Sequence, residues 1–258
     1  MGYNRNMKEL TQRQKAILSL LDGCPTSLEV RTLTGKVYAS EATVRRDLKK
    51  LEERGLILRT HGKALSARRV DNNSPLDVRL QLAQETKKRL ARAAVLECVH
   101  HADVVMLDAS STVSYAVEYL AEKKVKVITS GIRTLHMLAQ TELEFYSTGG
   151  QAVRASYSLA GPSAEDYVMN FNADVCLVSS HGLSPQGFAC DTSEPESSLR
   201  KVMMRQSRLR VLLLDSSKLG KTCWQNLCHI REFDHVFCDK PLPPELAAQV
   251  KCLHVVEE

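Results

Sequence analysis

The chain has 258 residues, 43% hydrophobic and 25% charged, the make-up of a soluble protein able to bury a substantial core. It holds no run of eighteen apolar residues, and its first ten residues are polar, so neither a membrane span nor a secretory leader is expected and the reading is cytoplasmic. The net charge of +5 is unevenly spread: the first 66 residues carry 13 Lys/Arg against 7 Asp/Glu, while 22 basic and 23 acidic residues share the rest. A basic head on a near-neutral body points to a polyanionic partner, with a merely solvated basic surface as the alternative.

In chain order, Thr11 reads as the N-cap of a first helix, with Gln14 completing a capping box and Ile17, Leu18 and Leu21 as its apolar face. A second box, Thr26 with Glu29, opens a segment carrying Leu28, Val30 and Leu33, and Gly35 to Ala39 reads as a turn. Ser40 caps a third helix whose Val44, Leu48 and Leu51 form one buried stripe. Arg46, Lys49 and Lys50 then lie on its far side, flanked by Thr43 and Arg45, and Gly55 stops it. Two short apolar pieces, Leu56–Leu58 and Ala64–Leu65, enclose Arg59-Thr60-His61-Gly62-Lys63, the pattern of a β-wing with a basic tip. A helix with one buried stripe and an outward row of hydroxyl and basic side chains can enter the major groove, meeting base edges and neutralising phosphates.

The run Ser40-Glu-Ala-Thr43-Val-Arg45-Arg46-Asp47-Leu48, then Leu51-Glu-Glu-Arg-Gly55-Leu and Arg59-Thr-His61-Gly62, resembles the DNA-binding signature of DeoR-type bacterial regulators. The resemblance implies a winged helix-turn-helix over residues 1–67 that grips double-stranded operator DNA through Ser40, Thr43, Arg45, Arg46, Lys49, Arg59 and His61. Lys63 stands where that family usually has a second Gly, and the stretch from Thr26 to Ser40 is slightly longer than its usual pattern.

Residues 68–75, polar and turn-rich, read as a linker, and residues 76–258 as a second domain. Leu76 to Val99 reads as one long helix. Beyond it, six apolar runs alternate with helical stretches near 113–122, 132–140, 163–170 and 195–206. The runs are Val104–Leu107, Val125–Thr129, Leu143–Ser147, Val175–Ser179, Val211–Leu214 and His235–Cys238. This is the rhythm of an α/β domain with a mostly parallel sheet covered on both faces, and such sheets bind ligands at their carboxyl edge. The residues after each run are Asp108-Ala-Ser110-Ser111-Thr112, Thr129-Ser130, Gly149-Gly150, His181-Gly182 and Asp215-Ser-Ser-Lys218. Hydroxyls at a helix start and a lysine suit an anion, although Ser, Gly and Asp also crowd strand ends merely to turn the chain.

The eight cysteines include no Cys-x-x-Cys pair and several sit in apolar runs, so packing is the expectation; Cys223, Cys228 and His229 lack a second ligand pair, and no metal or cofactor is expected. The family resemblance continues through Lys87, Asp108, Ser111-Thr112, Thr129, Gly149-Gly150, Gly161, Gly182, Gly187, Glu196 and Asp215-Ser-Ser-Lys218. It implies an effector-sensing domain similar in fold to ribose-5-phosphate isomerases and coenzyme A transferases. It also implies a phosphorylated sugar or related metabolite as ligand, a repressor of carbohydrate-metabolism genes, and a homo-oligomer. Here Ser110 replaces the usual Gly and Ser111 a Thr, Ser130 stands where Asn is frequent, and His181 where a smaller or acidic residue is common. A sugar-phosphate isomerase using Lys218, Glu196 and Asp108 as acid–base groups is the rival reading, but no motif sets a general base beside an acid, so a non-enzyme is expected. A DNA-binding protein with a vestigial sensor pocket is a third.

Overall fold

The computed structural model describes residues 10–24, 27–54, 56–60, 62–66 and 76–257; the expected linker at 68–75, Thr26, Gly55 and His61 lie outside them. The chain divides into two compact units, Met1–Arg79 and Leu80–Glu258.

The first unit opens with α1 (Gln12–Gly23), whose start is the expected capping box: Thr11 accepts from the Gln14 backbone and the Gln14 side chain accepts from Thr11. A short strand β1 (Leu28–Glu29) then leads into α2 (Val30–Val37). Here two expectations are corrected. Glu29 is the N-cap of α2 and makes no side-chain capping bond, so it does not close a box begun at Thr26. Gly35 lies within α2, and the turn falls later, at Tyr38, which takes the left-handed φ of 49°. Leu33, fully buried, and Val37, packed against the same core one turn later, hold the helix on; that packing outweighs the roughly 1 kcal/mol helix cost of glycine.

Ser40 caps α3 (Glu41–Glu53), accepting from the Thr43 backbone, and Val44, Leu48 and Leu51 are fully buried as the stripe requires. Strands β2 (Ile57–Thr60) and β3 (Lys63–Ser66) form the wing, closed at Gly62 with φ 80°, and β1 adds to β3 so that the sheet runs β1-β3-β2. Ile17, Leu21, Leu33, Leu48, Leu51, Leu56 and Ala64 make one core from all three helices and the wing.

The second unit follows α4 (Leu76–Gln81) with α5 (Gln84–Cys98). The single helix expected from Leu76 is therefore two. Ala83 takes φ 47°, ψ 40°, a conformation that cannot continue a right-handed helix. Next come β4 (Val104–Leu107), a 3-10 turn (Val113–Ala116) running into α6 (Val117–Leu120), β5 (Lys126–Thr129), α7 (Ile132–Leu138) and β6 (Glu144–Ser147). A hairpin of β7 (Gln151–Val153) and β8 (Ser158–Ala160) precedes α8 (Pro162–Val168) and β9 (Ala173–Val178). Strands β10 (Gly182–Leu183) and β11 (Phe188–Asp191), α9 (Glu194–Arg205), β12 (Ser207–Leu214) and β13 (Gln225–His229) follow. The chain closes with β14 (His235–Cys238), α10 (Pro244–Ala247) and β15 (Leu253–Val255).

Seven strands form one parallel sheet in the order β15-β14-β12-β9-β4-β5-β6. Six of them are the expected runs; β15, the hairpin and a small antiparallel sheet of β10, β11 and β13 are additions. Alternate residues serve opposite faces, which explains the unbroken apolar runs. Val105, Leu107, Val127, Leu177, Leu213 and Phe237 pack with α5 and α6, while Met106, Ile128, Cys176, Val178 and Leu212 pack with α8 and α9. After β4 the chain steps outward through β5 and β6; β9 then returns to the other side of β4 and leads toward β12, β14 and β15. The loops after β4 and β9 part at this reversal, the position where open α/β sheets form a crevice.

Candidate functional site

In the first unit, α3 turns Arg45, Arg46, Lys49 and Lys50 to solvent, one helical face opposite Val44 and Leu48. Arg45 is held by Glu41 one turn earlier (2.6 Å) and Lys49 lies 4.0 Å from Glu53, both exposed pairs that a phosphate can displace at small cost. Among the described residues Arg46 has no ion pair. At the helix start the Ser40 and Thr43 hydroxyls lie 2.9 Å apart, both exposed for hydrogen bonding. Arg59, on the wing, lies 3.4 Å from Glu52 of α3, and the exposed Lys63 stands beside the wing turn.

One residue that the sequence reading passed over sets the angle of α3. Asp47, inside the signature run, is buried: its carboxylate takes Arg13 Nε at 2.5 Å and Gln14 Nε2 at 3.1 Å, both from α1. A charge on the inner face of an otherwise apolar stripe was the available signal.

In the second unit, Asp108 occupies the sheet reversal. Its Oδ1 accepts from the Ser110 backbone (2.9 Å) and its Oδ2 from the Ser179 backbone (3.0 Å), so one carboxylate pins the β4 loop to the β9 loop. Arg200 of α9 lies 3.1 Å from the same Oδ2 and also pairs with Asp191 at the end of β11, while His181 Nδ1 lies 2.7 Å from Asp191. Burial by itself would raise the Asp191 carboxyl, but the Arg200 guanidinium and the His181 hydrogen bond hold it well below the usual carboxylate range. The buried Arg200 is likewise locked in its charged form: desolvation opposes the charge, and Asp191, Asp108 and Glu196 outweigh it.

Beside this network, Lys218 donates to Ser179 Oγ (2.8 Å) and lies 3.4 Å from Asp215, and Lys87 of α5 donates to Ser111 Oγ (3.1 Å). Desolvation would raise the Asp215 carboxyl, yet Lys218, Ser217 and Lys87 bring it down. Three buried cations, Lys87, Arg200 and Lys218, thus gather at the carboxyl ends of β4, β9 and β12. The hydroxyls after β4 divide their tasks: Ser110 Oγ accepts from the Val113 backbone, Ser111 accepts from Lys87, and among the described residues the buried Thr112 Oγ1 has no hydrogen-bond partner. The expected α-helix start at this loop is a 3-10 turn instead, because the segment from Val113 is fixed by packing against α5.

The remaining expected residues sort differently. Thr129 is buried, its hydroxyl donating to Leu107. Ser130 and Glu196 line a void of about 10 Å³ with Ala109, Leu159, Leu199, Arg200 and Met203, room for about one water. Gly149 and Gly150 form an exposed turn; a Cβ on Gly150 would meet Ala160 O at 2.5 Å, so the close approach there is to the hairpin. Gly182 is close to Lys221 in the same way. A wider cavity of about 510 Å³, in the range of small-molecule sites, lies between the hairpin and the starts of α8 and α9, with Glu165 and Glu194 in its wall. Arg200, Asp191 and Lys87 complete the site although none follows a main-sheet strand; Arg200, one turn from Glu196 on α9, was the one within reach of periodicity. Cys223, Cys228 and His229 do not gather to a common ion position among the described residues, and burial pushes the Cys228 thiol up to about 12.

The profile of the DeoR-like helix-turn-helix domain matches residues 13–70, and that of the DeoR C terminal sensor domain matches residues 82–240. The chain belongs to the DeoR family of transcriptional regulators. Among its DeoR relatives, the L-fucose operon activator of Escherichia coli is 29% identical over 231 residues, covering 88% of this chain and 94% of the relative. The transcriptional repressor GlcR of Bacillus subtilis is 31% identical over 205 residues, 79% of each chain. A ribose 5-phosphate isomerase from Plasmodium falciparum is similar in structure over 52% of each chain, with 20% identity and a TM-score of 0.39. No helix among the described residues of this DeoR-family chain is long and apolar enough to cross a membrane.

Proposed function

We propose that this DeoR-family chain represses carbohydrate-metabolism genes by binding double-stranded operator DNA through α3 and the wing. A phosphorylated sugar, held at the carboxyl edge of the sheet, would change that affinity. The observation that carries the reading is the gathering of Lys87, Arg200 and Lys218 at the sheet reversal beside the Thr112 hydroxyl, which has no hydrogen-bond partner among the described residues. Cations and hydroxyl donors in a buried crevice favour a phosphate monoester. Because the inner void holds only about one water, the phosphate enters by displacing loop contacts, and that displacement is the differential interaction by which a ligand shifts a population. In the first unit, Ser40, Thr43, Arg45, Arg46, Lys49, Arg59 and His61 carry the DNA contacts, and a homo-oligomer would pair two half-sites.

Catalysis fits this geometry poorly. Asp108, the candidate base, has both oxygens engaged by backbone N–H groups and Arg200, and Lys218 is tied to Ser179 and Asp215.

The test is binding of the full chain to promoter-proximal DNA at fixed salt, titrated with a panel of sugar phosphates. Salt-sensitive, sequence-preferring binding that one sugar phosphate changes is the expected result, with the response lost and DNA binding kept in Lys218→Ala. Specific binding indifferent to every member would retain the reader and overturn the sensor; a Lys218→Ala protein that still responds would overturn the anion site.

A further inference from the structure

Strands β14 and β15 pair in parallel with Val236 opposite Leu253 and Phe237 opposite His254. Side-chain alternation therefore places His235, Phe237, Cys252 and His254 on one face at the edge of the main sheet, remote in the strands from the carboxyl-edge site. His235 Nδ1 lies 3.0 Å from His254 Nε2, Cys252 Sγ lies 3.2 Å from the same nitrogen, and the three donor atoms are all within 4.8 Å of one another. The His254 ring is stacked on Phe237, with centroids 4.2 Å apart and planes within 3°, which fixes where Nε2 points. All three residues are half-buried.

Hydrogen bonding leaves this grouping only partly satisfied. A neutral imidazole nitrogen offers one lone pair or one proton, and His254 Nε2 meets two partners at hydrogen-bond distance. Whichever tautomer it adopts, one contact is left sharing. A cation at the centre would use one lone pair from each of the three atoms. Ligand atoms about 2.0–2.3 Å from a tetrahedral ion are separated by about 3.3–3.6 Å; the two edges at His254 Nε2, 3.0 and 3.2 Å, need to open by only a few tenths of an ångström, and the His235–Cys252 edge lies within 4.8 Å.

We propose that His235, Cys252 and His254 form a binding site for a transition-metal cation of the Zn2+ class, through two imidazole nitrogens and one thiolate. Water supplies the fourth ligand of the tetrahedron. One thiolate with two imidazoles selects zinc-like or copper-like ions over magnesium and calcium, which prefer oxygen. Binding releases the Cys252 thiol proton to solvent and clasps the edge strand β15 onto β14. The site stands independently of DNA and effector binding.

Reduced, chelator-treated full-length protein is titrated with Co2+ as the absorbing probe, then with Zn2+. The expected result is one Co2+ per chain with a thiolate-to-cobalt charge-transfer band, which Zn2+ displaces. Cys252→Ser removes the band while far-UV dichroism and the chelator-treated unfolding midpoint stay as in the parent. Cys223→Ser and Cys228→Ser leave the band intact, and His235→Gln weakens binding by more than about tenfold, the loss that outer-shell changes alone produce at such sites. A folded protein with no charge-transfer band, or a band that persists in Cys252→Ser, overturns the proposal. If Cys252→Ser does not fold, His235→Gln decides: unchanged affinity overturns the site.

Discussion

The two units use charge in opposite ways. On α3 the cations are exposed and paired, where paired at all, with exposed carboxylates one turn away. At the carboxyl edge of the large sheet the cations are buried and each is held by groups from distant parts of the chain, as Arg200 is by Asp108 and Asp191. An exposed cation contributes little to stability and is available to an external polyanion. A buried one is part of the fold, and a ligand can reach it only by replacing the partners it already has.

The largest break of that contrast is Arg200→Ala. Two buried carboxylates, Asp108 and Asp191, lose their counter-charge, and the second unit is expected to lose about 3–5 kcal/mol, read by denaturant unfolding. A loss under about 1 kcal/mol would show that the network is less closed to water than its geometry implies.

Acid comes next. The Asp191 and Asp215 carboxyls are held below their ordinary values in the folded state, so their contribution is complete above about pH 4 and is lost as pH falls below it, through the unfolded and then the folded range. Unfolding midpoints of the second unit should drop steeply below about pH 4, and Asp191→Asn should flatten that drop. A parallel decline in parent and variant would assign the acid sensitivity elsewhere.

Arg46→Ala should weaken operator binding by about 1–3 kcal/mol if the side chain reads a base, or reduce the salt slope by about 1 if it neutralises a phosphate, with the unfolding midpoint unchanged. Unchanged affinity and slope would remove Arg46 from the interface. The smallest effect is expected for Glu41→Ala: the exposed pair with Arg45 contributes about 0.3–0.5 kcal/mol, and its loss frees Arg45, so operator binding should rise slightly. Weaker binding would mean that Glu41 itself meets the DNA.

Local chemistry was legible without coordinates. Thr11 and Gln14 cap α1, Ser40 caps α3, and Val44, Leu48 and Leu51 go inward because capping and helical period are properties of neighbours in sequence. The apolar runs marked six of seven strands because a sheet covered on both faces demands them. What failed also failed locally: Gly35 sits inside a helix and Ala83 breaks one, since packing against distant residues overrides propensity.

The sequence by itself therefore determined the capped and striped helix α3, six strands of the large sheet and which strand ends carry polar groups. Only the tertiary structure decided which of those groups meet. Asp108 finds Ser179, 71 positions later, and Arg200 joins it from a helix, because the order in which the chain adds strands reverses at β4. His235, Cys252 and His254 come together through the register of two parallel strands. Those meetings depend on strand order and register, set by the packing of the whole core, and no window of sequence contains them.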